Sequence, residues 1–580
     1  MAERQQSCAL RSPGLQIQYP ANTSQPKILK EFYHAYQRGV SEIWIINVAD
    51  IKPVELPFAF IMDFAWHPER MTFDYIPQYL EAFAEREFGP EHVSEIADIL
   101  FEFSQLVGNR KFESVRPSTY SFLNFQESEK LLERWERLAE RTRSMEEVLS
   151  PEYRTTFWHL ATYQVLAGYN YHRVVLGQGQ NYQYARERRN QANYVAQDVL
   201  EYFELDADYE EMYDTIEEGK WHGMLSQPKF DSDNQATWRQ TSRDVVMNLS
   251  YVQLRQNMAY QFGPLGIYSE GKNNALAQGT IADALDPMAP TEGGMSPVLP
   301  TLSRYGPQSH FVEIFHRGNH RVPINWNISN GNGWLRVSQM SGQISREQPM
   351  ERVSFSVDWE AIPTGFNGTV NVTVEWDALP RFDLIHVPVC AWGVPEDFHG
   401  YPDASGLISI EASHFQRKSN KSVSFERIPY LGTRSASGSV VLRPYESSRK
   451  DSFDRSSAWV EYDIYLFSAS ASFNATVYLT SGLDTDPTNP MRFSLNLGSR
   501  NGTFTRVLEA PETPGALPGN WTSEVQNGVW TRFVQLGAVE QGMHTIRWSV
   551  NSPEVYLEKI VLSQRAVPAS YLGPPETMWL

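Results

Sequence analysis

The stretch Ile43-Trp44-Ile45-Ile46-Asn47-Val48-Ala49-Asp50-Ile51-Lys52-Pro53-Val54-Glu55 decides how the fold of this chain is interpreted. Its four bulky apolar residues, 43–46, predict a strand that is buried on both faces. Pro53 ends the strand because proline cannot donate a ladder hydrogen bond and holds Lys52 extended. Upstream, residues 26–39 predict a helix that stops at Gly39. Helix, turn and buried strand together predict one αβ step of a parallel sheet.

The polar residues at the end of this strand, Asn47, Asp50, Lys52 and Glu55, are candidate site residues. In α/β barrels and doubly wound sheets, the chemistry lies at the carboxyl ends of parallel strands. The alternative is that Asp50 caps the next segment and that Lys52 pairs with Glu55 on the surface. Spacing alone leaves both interpretations open.

Length, charge and composition exclude several classes of protein. A chain of 580 residues is too long for one hydrophobic core and predicts three or four domains. The net charge of −19 argues against a nucleic-acid partner, because phosphate binding needs a basic surface. No stretch reaches the ~18 apolar residues of a membrane span. The histidines are scattered and only Cys8 and Cys390 are present, so no metal, cofactor or disulfide framework is expected.

The first half of the chain has a helical pattern. Apolar residues that recur every three or four positions predict an antiparallel helical bundle over residues 74–220. The predicted helices cover residues 74–88, 92–107, 127–149, 150–176 and 182–203. Arg186, Arg188 and Arg189 in the last of these helices are expected to form a solvated face.

The second half has a strand pattern. Residues 221–308 are rich in Gly, Pro and small polar residues and are expected to be an irregular linker or insertion. From Phe311 the apolar period changes to two. This predicts a small β-sandwich over residues 309–380, a linker over 381–405, a larger β-sandwich over 406–565 and a tail over 566–580. The larger sandwich resembles carbohydrate-binding jelly rolls, and the whole chain is predicted to be a multidomain α+β protein.

A family resemblance begins at the opening stretch. "IWIINVADIKPVELPFAFIMDFAWHPER", residues 43–70, resembles the last barrel strand of glycoside hydrolase family 115, the xylan α-1,2-glucuronidases. The chain departs from the family pattern at Ala49, where glycine is usual, and at Leu225, where methionine is usual. Further matching motifs are RKFE at 110–113, GKWHGMLSQ at 219–227, FVEIFHRGN at 311–319 and LISIEASHF at 407–415. These ordered motifs extend the resemblance over roughly residues 26–565.

The resemblance implies an activity and a substrate. Members remove (4-O-methyl)glucuronic acid side chains from glucuronoxylan by inverting hydrolysis, which needs a general acid and a general base. In the family these carboxylates lie mostly on earlier strands of a (β/α)8 barrel, which are expected to be absent from this chain, so its catalytic residues are unknown. By resemblance, Asn47, Asp50, Lys52 and Glu55 line the sugar pocket, and Lys52 meets the uronic carboxylate. The implied ligands are glucuronoxylan or aldouronic acid oligosaccharides, and a homodimer through the C-terminal domains is implied as well.

The same resemblance gives an expected domain plan. Residues 26–73 are expected to be a remnant of the last barrel step after a disordered leader, residues 1–25, in an inactive C-terminal part of a longer enzyme. A lone strand without neighbours cannot bury residues 43–46, so residues 1–70 are expected to pack poorly. The segment 219–227 is implied to fold back towards the barrel, with His222 structural rather than catalytic. A non-enzymatic carbohydrate-binding or dimerisation module is the alternative function.

Two observations bear on the location of the protein. Residues 1–19 lack the apolar core that a signal peptide needs. Family resemblance and the glycosylation sequons nevertheless indicate an extracellular protein. The sequons begin at Asn22, Asn248, Asn327, Asn367, Asn371, Asn420, Asn474, Asn501 and Asn520.

Overall fold

The structure is a computed structural model that describes residues 24–46, 52–225, 229–230, 244–254, 263–272, 297–378, 382–435, 437–445, 457–482, 484, 488–498, 504–511, 513 and 516–580. Within these residues, helices fill the first part of the chain and β-sheets fill the rest. The protein is therefore multidomain, with a helical part and a β-rich C-terminal part.

The helical part packs around one long central helix, α7. Its side chains are buried on most of its faces, and Tyr171 contacts Phe112 beside the fully buried Trp135. Pro77 lies in the first turn of α3 and Gly89, at φ +83°, follows its end, as expected for start and stop residues. The helices are α1 (Gln25–Gln37), α2 (Glu55–Trp66), α3 (Ile76–Phe88), α4 (Val93–Asn109), α5 (Glu127–Val148), α6 (Pro151–Phe157), α7 (Tyr163–Arg186) and α8 (Gln191–Gly219).

A first β unit follows the helices. Its strands are β1 (Leu265–Ser269), β2 (Leu302–Ser303), β3 (Ser309–His316), β4 (Ile324–Ser329), β5 (Leu335–Val337), β6 (Ser341–Ile344), β7 (Met350–Val357), β8 (Asn367–Trp376) and β9 (Phe382–Cys390). One sheet has the order β1-β3-β7-β5 and the other β2-β9-β8-β4-β6. Apolar side chains of both sheets form one shared core.

A second β unit ends the chain. Its elements are β10 (Tyr401–Pro402), β11 (Leu407–Glu411), β12 (Arg417–Lys418), β13 (Ser424–Ile428), β14 (Ser439–Arg443), β15 (Val460–Leu466), β16 (Ser470–Thr480), β17 (Arg492–Leu497), β18 (Phe504–Arg506), α9 (Trp521–Asn527), β19 (Val529–Val539), β20 (Gly542–Val550) and β21 (Leu557–Ser563). One sheet runs β10-β15-β20-β17-β18 and the other β13-β14-β21-β16-β19. They too share a core, which includes the fully buried Trp530 and Trp548.

The helical part and the second β unit are tied together by the last residues of the chain. The buried carboxylate of Glu127 at the start of α5 accepts hydrogen bonds from the backbone N–H groups of Tyr571 (3.0 Å) and Leu572. The Tyr571 hydroxyl donates to the carbonyls of Asn109 and Asn527. Residues 566–580 were expected to be a tail. Through Tyr571 and Leu572 they instead form a clamp, which holds the helical part and the second β unit together.

The prediction of a strand at residues 43–46 is wrong. These residues adopt no regular structure, and Ile43 and Ile45 are 77% and 64% exposed. A strand needs a neighbour to complete its backbone hydrogen bonds, and no strand among the described residues pairs with this segment. Trp44 and Ile46 are partly buried against the apolar cluster of α1 and α2, and the Trp44 ring stacks on Phe64 at 5.8 Å.

The expectation that residues 1–70 pack poorly is wrong for the described residues of α1 and α2. Ile28 and Phe32 of α1 and Phe64 of α2 are buried in one cluster with Ile428 and Tyr556 of the second β unit. Burying each such side chain contributes about 1.5–3 kcal/mol. The second β unit, and not neighbouring barrel strands, therefore supplies the surface against which α1 and α2 pack.

The expectation of a solvated arginine face is wrong for Arg189. The single helix predicted over residues 182–203 is broken between Arg186 and Gln191, where Arg188 has φ +62°. This break turns Arg189 inward, where it is only 1% exposed and forms ion pairs with Glu187 and Glu313. A buried guanidinium needs such paired carboxylates, and they come from tertiary contacts that helical periodicity does not report.

Two ranges that were expected to be linkers contain strands. Strand β1 lies within 221–308 and is buried at all five positions, so it lacks the alternation that marks a half-exposed strand. Strand β9 lies within 381–405 and pairs with β8 along most of its length. Both complete sheets of the first β unit, which therefore extends beyond the expected range 309–380.

Candidate functional site

Lys52 and Glu55 lie together at the N-terminus of α2. Their Nζ and Oε1 atoms are 2.6 Å apart, and the side chains are 17% and 27% exposed. Glu55 is in the first turn of the helix, where the helix dipole stabilises a negative charge. The pairing of Lys52 with Glu55 that the alternative interpretation foresaw is present, but within a cleft and not on an open surface.

Trp221 reaches this ion pair because the chain reverses after α8. Glu217 and Glu218 have φ values of +51° and +60°, followed by Gly219 at +80°, so the helix ends in left-handed backbone. The Lys52 Nζ lies 4.5 Å from the centroid of the Trp221 ring. The segment 219–225 thus brings Trp221 against Lys52, just before the start of α2.

His159 comes from a π-helical turn, Trp158–Thr162, inserted between α6 and α7. Such turns occur frequently at functional sites because they displace a side chain from the regular helical register. Burial, and then the positive charge of Lys52, lower the pKa of His159 to about 4. The imidazole is therefore neutral at neutral pH. Its Nε2 is buried and has no hydrogen-bond partner among the described residues.

Tyr213 lies beside His159, with ring centroids 4.9 Å apart. Burial, and then the negative charge of Glu55, raise the pKa of Tyr213. Its hydroxyl is likewise buried without a hydrogen-bond partner in the described part of the chain. Buried polar atoms are nearly always paired, so the two atoms are donors or acceptors available to a ligand or to water.

Of these residues, Lys52, Glu55, His159 and Trp221 line a cleft of about 260 Å³, called here the Lys52–Trp221 cleft. This volume is at the small end of the ~300–1,000 Å³ typical of small-molecule sites and suits one sugar residue. The wall combines an aromatic ring, cations and carboxylates. The lining residues are Lys52, Glu55, Ala59, Phe83, Arg86, Glu87, Thr156, His159, Leu160, Glu217, Lys220 and Trp221.

The carboxylates of the cleft are held by neighbouring cations or donors. Glu55 pairs with Lys52, and Glu87 pairs with Arg86 at 2.7 Å. Glu217 accepts from the Trp221 Nε1–H at 3.2 Å and faces Lys220. The site therefore offers fixed charges and hydrogen-bonding groups around an aromatic ring.

Two of the four predicted site residues can be placed. Lys52 and Glu55 line the cleft, whereas Asn47 and Asp50 lie outside the described residues. His222 does not line it: its imidazole is 78% exposed and contacts Asp214 at 3.2 Å.

His159 and Lys220 line the cleft but were not predicted as site residues from the sequence. His159 sits in an apolar helical pattern that gave no sign of a π-helical turn, whereas Lys220 lies in a motif that had already been singled out. Among the described residues, no group of three or more His, Cys, Asp or Glu side chains is placed to hold a metal ion.

Comparison with known proteins supports the resemblance at both ends of the chain. The family model of glycosyl hydrolase family 115 matches residues 14–114, and that of the glycosyl hydrolase family 115 C-terminal domain matches residues 400–576. Among the curated proteins, none matches the chain.

Solved structures give the fold. A family GH115 4-O-methyl-α-glucuronidase with specificity for decorated arabinogalactans is 14% identical and covers 96% of this chain, with a TM-score of 0.55. The matched region covers 50% of the solved enzyme, so the chain spans about half of that enzyme's length.

Two carbohydrate-binding modules also match, at TM-scores too low to bear on function. The C-terminal CBM6 of a laminarinase from Zobellia galactanivorans is 18% identical and covers 27% of this chain and 98% of its own, with a TM-score of 0.17. The CBM35 from Paenibacillus barcinonensis is 16% identical and covers 27% of this chain and 97% of its own, with a TM-score of 0.16. The matches at residues 14–114 and 400–576 show that these two parts of the chain belong to glycoside hydrolase family 115.

Proposed function

We propose that the Lys52–Trp221 cleft binds the (4-O-methyl)glucuronic acid side chain of a decorated plant polysaccharide, as part of an α-glucuronidase. The observation that carries the proposal is the Lys52 ammonium 4.5 Å above the Trp221 ring in a partly buried cleft. A uronic acid combines a carboxylate with an apolar ring face. The ammonium pairs with the carboxylate, and the indole packs on the ring face.

The pair Lys52–Glu55 sets the strength of this binding. In the free protein Glu55 already neutralises Lys52, so a uronic carboxylate competes with Glu55 for the same ammonium. Lys220, whose Nζ lies 4.9 Å from the Trp221 centroid, adds a second cation on the wall. A protein with a net charge of −19 repels an acidic sugar at long range, and these local cations are what make its binding favourable.

The described cleft supports binding more than hydrolysis. Inverting hydrolysis needs one protonated carboxylic acid and one carboxylate base about 6.5–9.5 Å apart. Glu55, Glu87 and Glu217 are each committed to a cation or a donor, and His159 is neutral and buried. We therefore propose that this chain by itself binds acidic sugars without cleaving them, and that the catalytic carboxylates come from elsewhere in the enzyme.

The test of binding compares two monosaccharides that differ in charge. Methyl α-D-glucuronoside and methyl α-D-glucopyranoside are titrated into the full chain, with binding followed by NMR. The glucuronoside is expected to bind at least tenfold tighter, and Lys52→Ala is expected to abolish that preference, while Lys272→Ala at an exposed site leaves it intact. Equal affinity of the wild-type chain for both sugars would refute the proposal.

The test of hydrolysis uses 4-O-methylglucuronosyl xylotriose as substrate. No methylglucuronate is expected to appear when the full chain is incubated with it. Release of methylglucuronate above the rate of a Lys52→Ala variant would show that the chain is itself a hydrolase.

The polymer that carries the acidic side chain is a second part of the proposal. Glucuronoxylan is implied by the family resemblance, whereas the solved relative has specificity for decorated arabinogalactans. Because the cleft has room for one sugar residue, it cannot by itself distinguish two polymers that share that residue. Retardation of the chain in gels that contain either polymer, compared with the same polymer after carboxyl reduction, identifies the preferred one.

A non-enzymatic carbohydrate-binding or dimerisation module is the second candidate function. Retention on a neutral polymer with no preference for uronic acids would favour a binding module. Dimerisation through the C-terminal domains remains a proposal from the resemblance, and light scattering on the purified chain tests it.

An extracellular location is also proposed. Several sequon asparagines of the β units, Asn327, Asn367, Asn371 and Asn420, are exposed and accessible to glycosylation. None of the described helices has the length and apolar character of a membrane span. Expression through the secretory pathway of a eukaryotic host should give a chain whose electrophoretic mobility increases after treatment with an N-glycosidase.

A further inference from the structure

The junction between the two β units contains an aromatic groove that the proposed function does not use. Two cavities of about 300 and 750 Å³ meet there, and both are lined by Arg304, Trp392 and Phe467. The larger is also lined by Trp359 and Tyr465. The five residues Arg304, Trp359, Trp392, Tyr465 and Phe467 define what is called here the junction groove.

Phe467 is the centre of the aromatic wall of this groove. The Trp392 ring lies 5.6 Å from the Phe467 ring, and the Tyr465 ring lies 5.3 Å from it. Tyr305 stacks on Phe467 from behind at 5.9 Å with an interplanar angle of 12°. These mutual contacts hold the rings in place, so a ligand meets a preformed surface and loses little affinity to side-chain ordering.

The rings are not fully covered by protein. Trp359, Trp392, Tyr465 and Phe467 are all half-buried. The wall therefore presents aromatic surface to solvent along a concave path whose volume exceeds that of the Lys52–Trp221 cleft.

Polar atoms on the same wall have no hydrogen-bond partner. The Arg304 Nε–H and the Ser405 hydroxyl are buried at the groove, and neither has a hydrogen-bond partner among the described residues. The Arg304 guanidinium itself is held in place, because its Nη2 donates to the Trp359 carbonyl at 2.9 Å. A fixed donor beside an aromatic wall is what a ligand with an apolar face and a hydroxyl edge requires.

We propose that the junction groove is a second saccharide site that takes a neutral oligosaccharide segment. The C–H faces of successive pyranose rings stack on Trp392 and Trp359, and sugar hydroxyls accept from Arg304 and exchange hydrogen bonds with Ser405. A neutral ligand fits this wall because Arg304 is already engaged by the Trp359 carbonyl and ring. The second cation at the groove, Arg565, is offset by the nearby carboxyl group of Asp403.

The groove joins residues of the two β units. Trp359 and Arg304 belong to the first β unit, whereas Tyr465 and Phe467 lie at β15 and just beyond its end in the second. A bound oligosaccharide contacts both units at once and stabilises their junction, which raises the temperature at which they separate.

The experiment titrates the full chain with two neutral probes, xylohexaose and β-1,3-galactohexaose, by isothermal calorimetry. At least one is expected to bind, and Trp392→Ala and Trp359→Ala are each expected to weaken that binding at least tenfold. Trp392→Phe, which keeps a ring against Phe467, is expected to stay within about threefold of the wild-type affinity. Trp66→Ala removes an 81% exposed indole elsewhere and is expected to change nothing.

Two further variants distinguish binding in the junction groove from binding in the Lys52–Trp221 cleft and from a loss of binding caused by misfolding. Lys52→Ala is expected to leave the affinity for the neutral probe unchanged, so failure of either proposal is recognised independently. Ser405→Ala removes one hydroxyl without disturbing the aromatic wall and is expected to weaken binding several-fold. Absence of binding by both probes at millimolar concentration, or binding that both Trp→Ala variants leave unaltered, would overturn the proposal.

Discussion

The Lys52 ammonium lies 4.5 Å from the centroid of the Trp221 ring, although these residues lie near opposite ends of the helical part of the chain. Lys52 precedes α2, and Trp221 follows α8. Their contact depends on the left-handed reversal at Glu217 and Glu218, which costs of order 1–3 kcal/mol per residue. Backbone strain of this kind persists only where the surrounding structure compensates for it, and here it closes the cleft.

Trp221 tests the importance of this contact. Trp221→Ala is expected to weaken binding of methyl α-D-glucuronoside about tenfold, or about 1.4 kcal/mol, because the ring face and the cation–π contact are both lost. Trp221→Phe keeps a smaller ring and should retain part of the affinity. NMR titration measures both variants, and an unchanged affinity of Trp221→Ala would contradict the role given to the indole.

Arg189 is expected to be essential for stability. Arg189→Ala leaves the buried carboxylates of Glu187 and Glu313 without their shared partner, and about 3–5 kcal/mol of unfolding free energy should be lost. Arg188→Ala, one residue away and exposed, is the matched control and should change stability by less than ~0.5 kcal/mol. Urea denaturation measures the difference, and similar losses for the two variants would show that the buried pairs contribute little.

Acidification is expected to destabilise the helical part through two histidines. Burial lowers the pKa of His159 and of His172 to about 4, from 6.5 in the unfolded chain. Between these values the unfolded state binds more protons, so stability rises with pH and is lost as pH falls from 6.5 towards 4. Each group contributes at most about 2–3 kcal/mol to that loss.

A double variant, His159→Gln and His172→Gln, isolates the contribution of these histidines to the loss of stability at low pH. Its free energy of unfolding should fall less than that of the wild-type protein between pH 6.5 and 4.5, as measured by urea denaturation at each pH. His222→Gln, at an exposed histidine, serves as the control and should retain the wild-type dependence. Parallel profiles for all three proteins would show that the buried histidines do not titrate as inferred.

Asp403 gives the opposite sign of pH dependence. Burial raises the pKa of Asp403 to about 6. Hydrogen bonds from the backbone N–H groups of Gly406 and Leu407, and the positive charge of Arg565, oppose this increase. The folded state then binds more protons than the unfolded state between pH 4 and 6, so this group makes the protein less stable as pH rises through that window. Asp403→Asn should remove this loss of stability with rising pH. Thermal melting of the variant and the wild-type protein at pH 4.5 and 6.5 measures the effect. If the variant loses as much stability as the wild-type protein, the inference is contradicted.

Glu127 is expected to hold the C-terminal segment on the helical part. Glu127→Ala removes the acceptor of the Tyr571 and Leu572 N–H groups and should cost about 1–3 kcal/mol. Limited proteolysis should then cut within residues 566–580 faster than in the wild-type protein. Glu133→Ala, on the exposed side of the same helix, is the control; equal cleavage rates for the two variants would show that the clamp does not depend on Glu127.

The sequence by itself determined the family resemblance and the division into helical and β-rich halves, because motifs and apolar periods are local properties of the chain. It also pointed to Lys52, Glu55 and the segment that carries Trp221, since each lies in a quoted motif. It assigned residues 43–46 to a strand because apolar character does not show whether neighbouring strands are present to pair with it.

Only the tertiary structure decided what these residues contact. The inward turn of Arg189, the π-helical placement of His159 and the clamp at Glu127 all depend on partners distant in sequence. The same is true of the junction groove, whose rings come from the two β units. Such contacts follow from how preformed elements pack together, and the free energy of burying a charge or a ring is set by that packing and not by the local sequence.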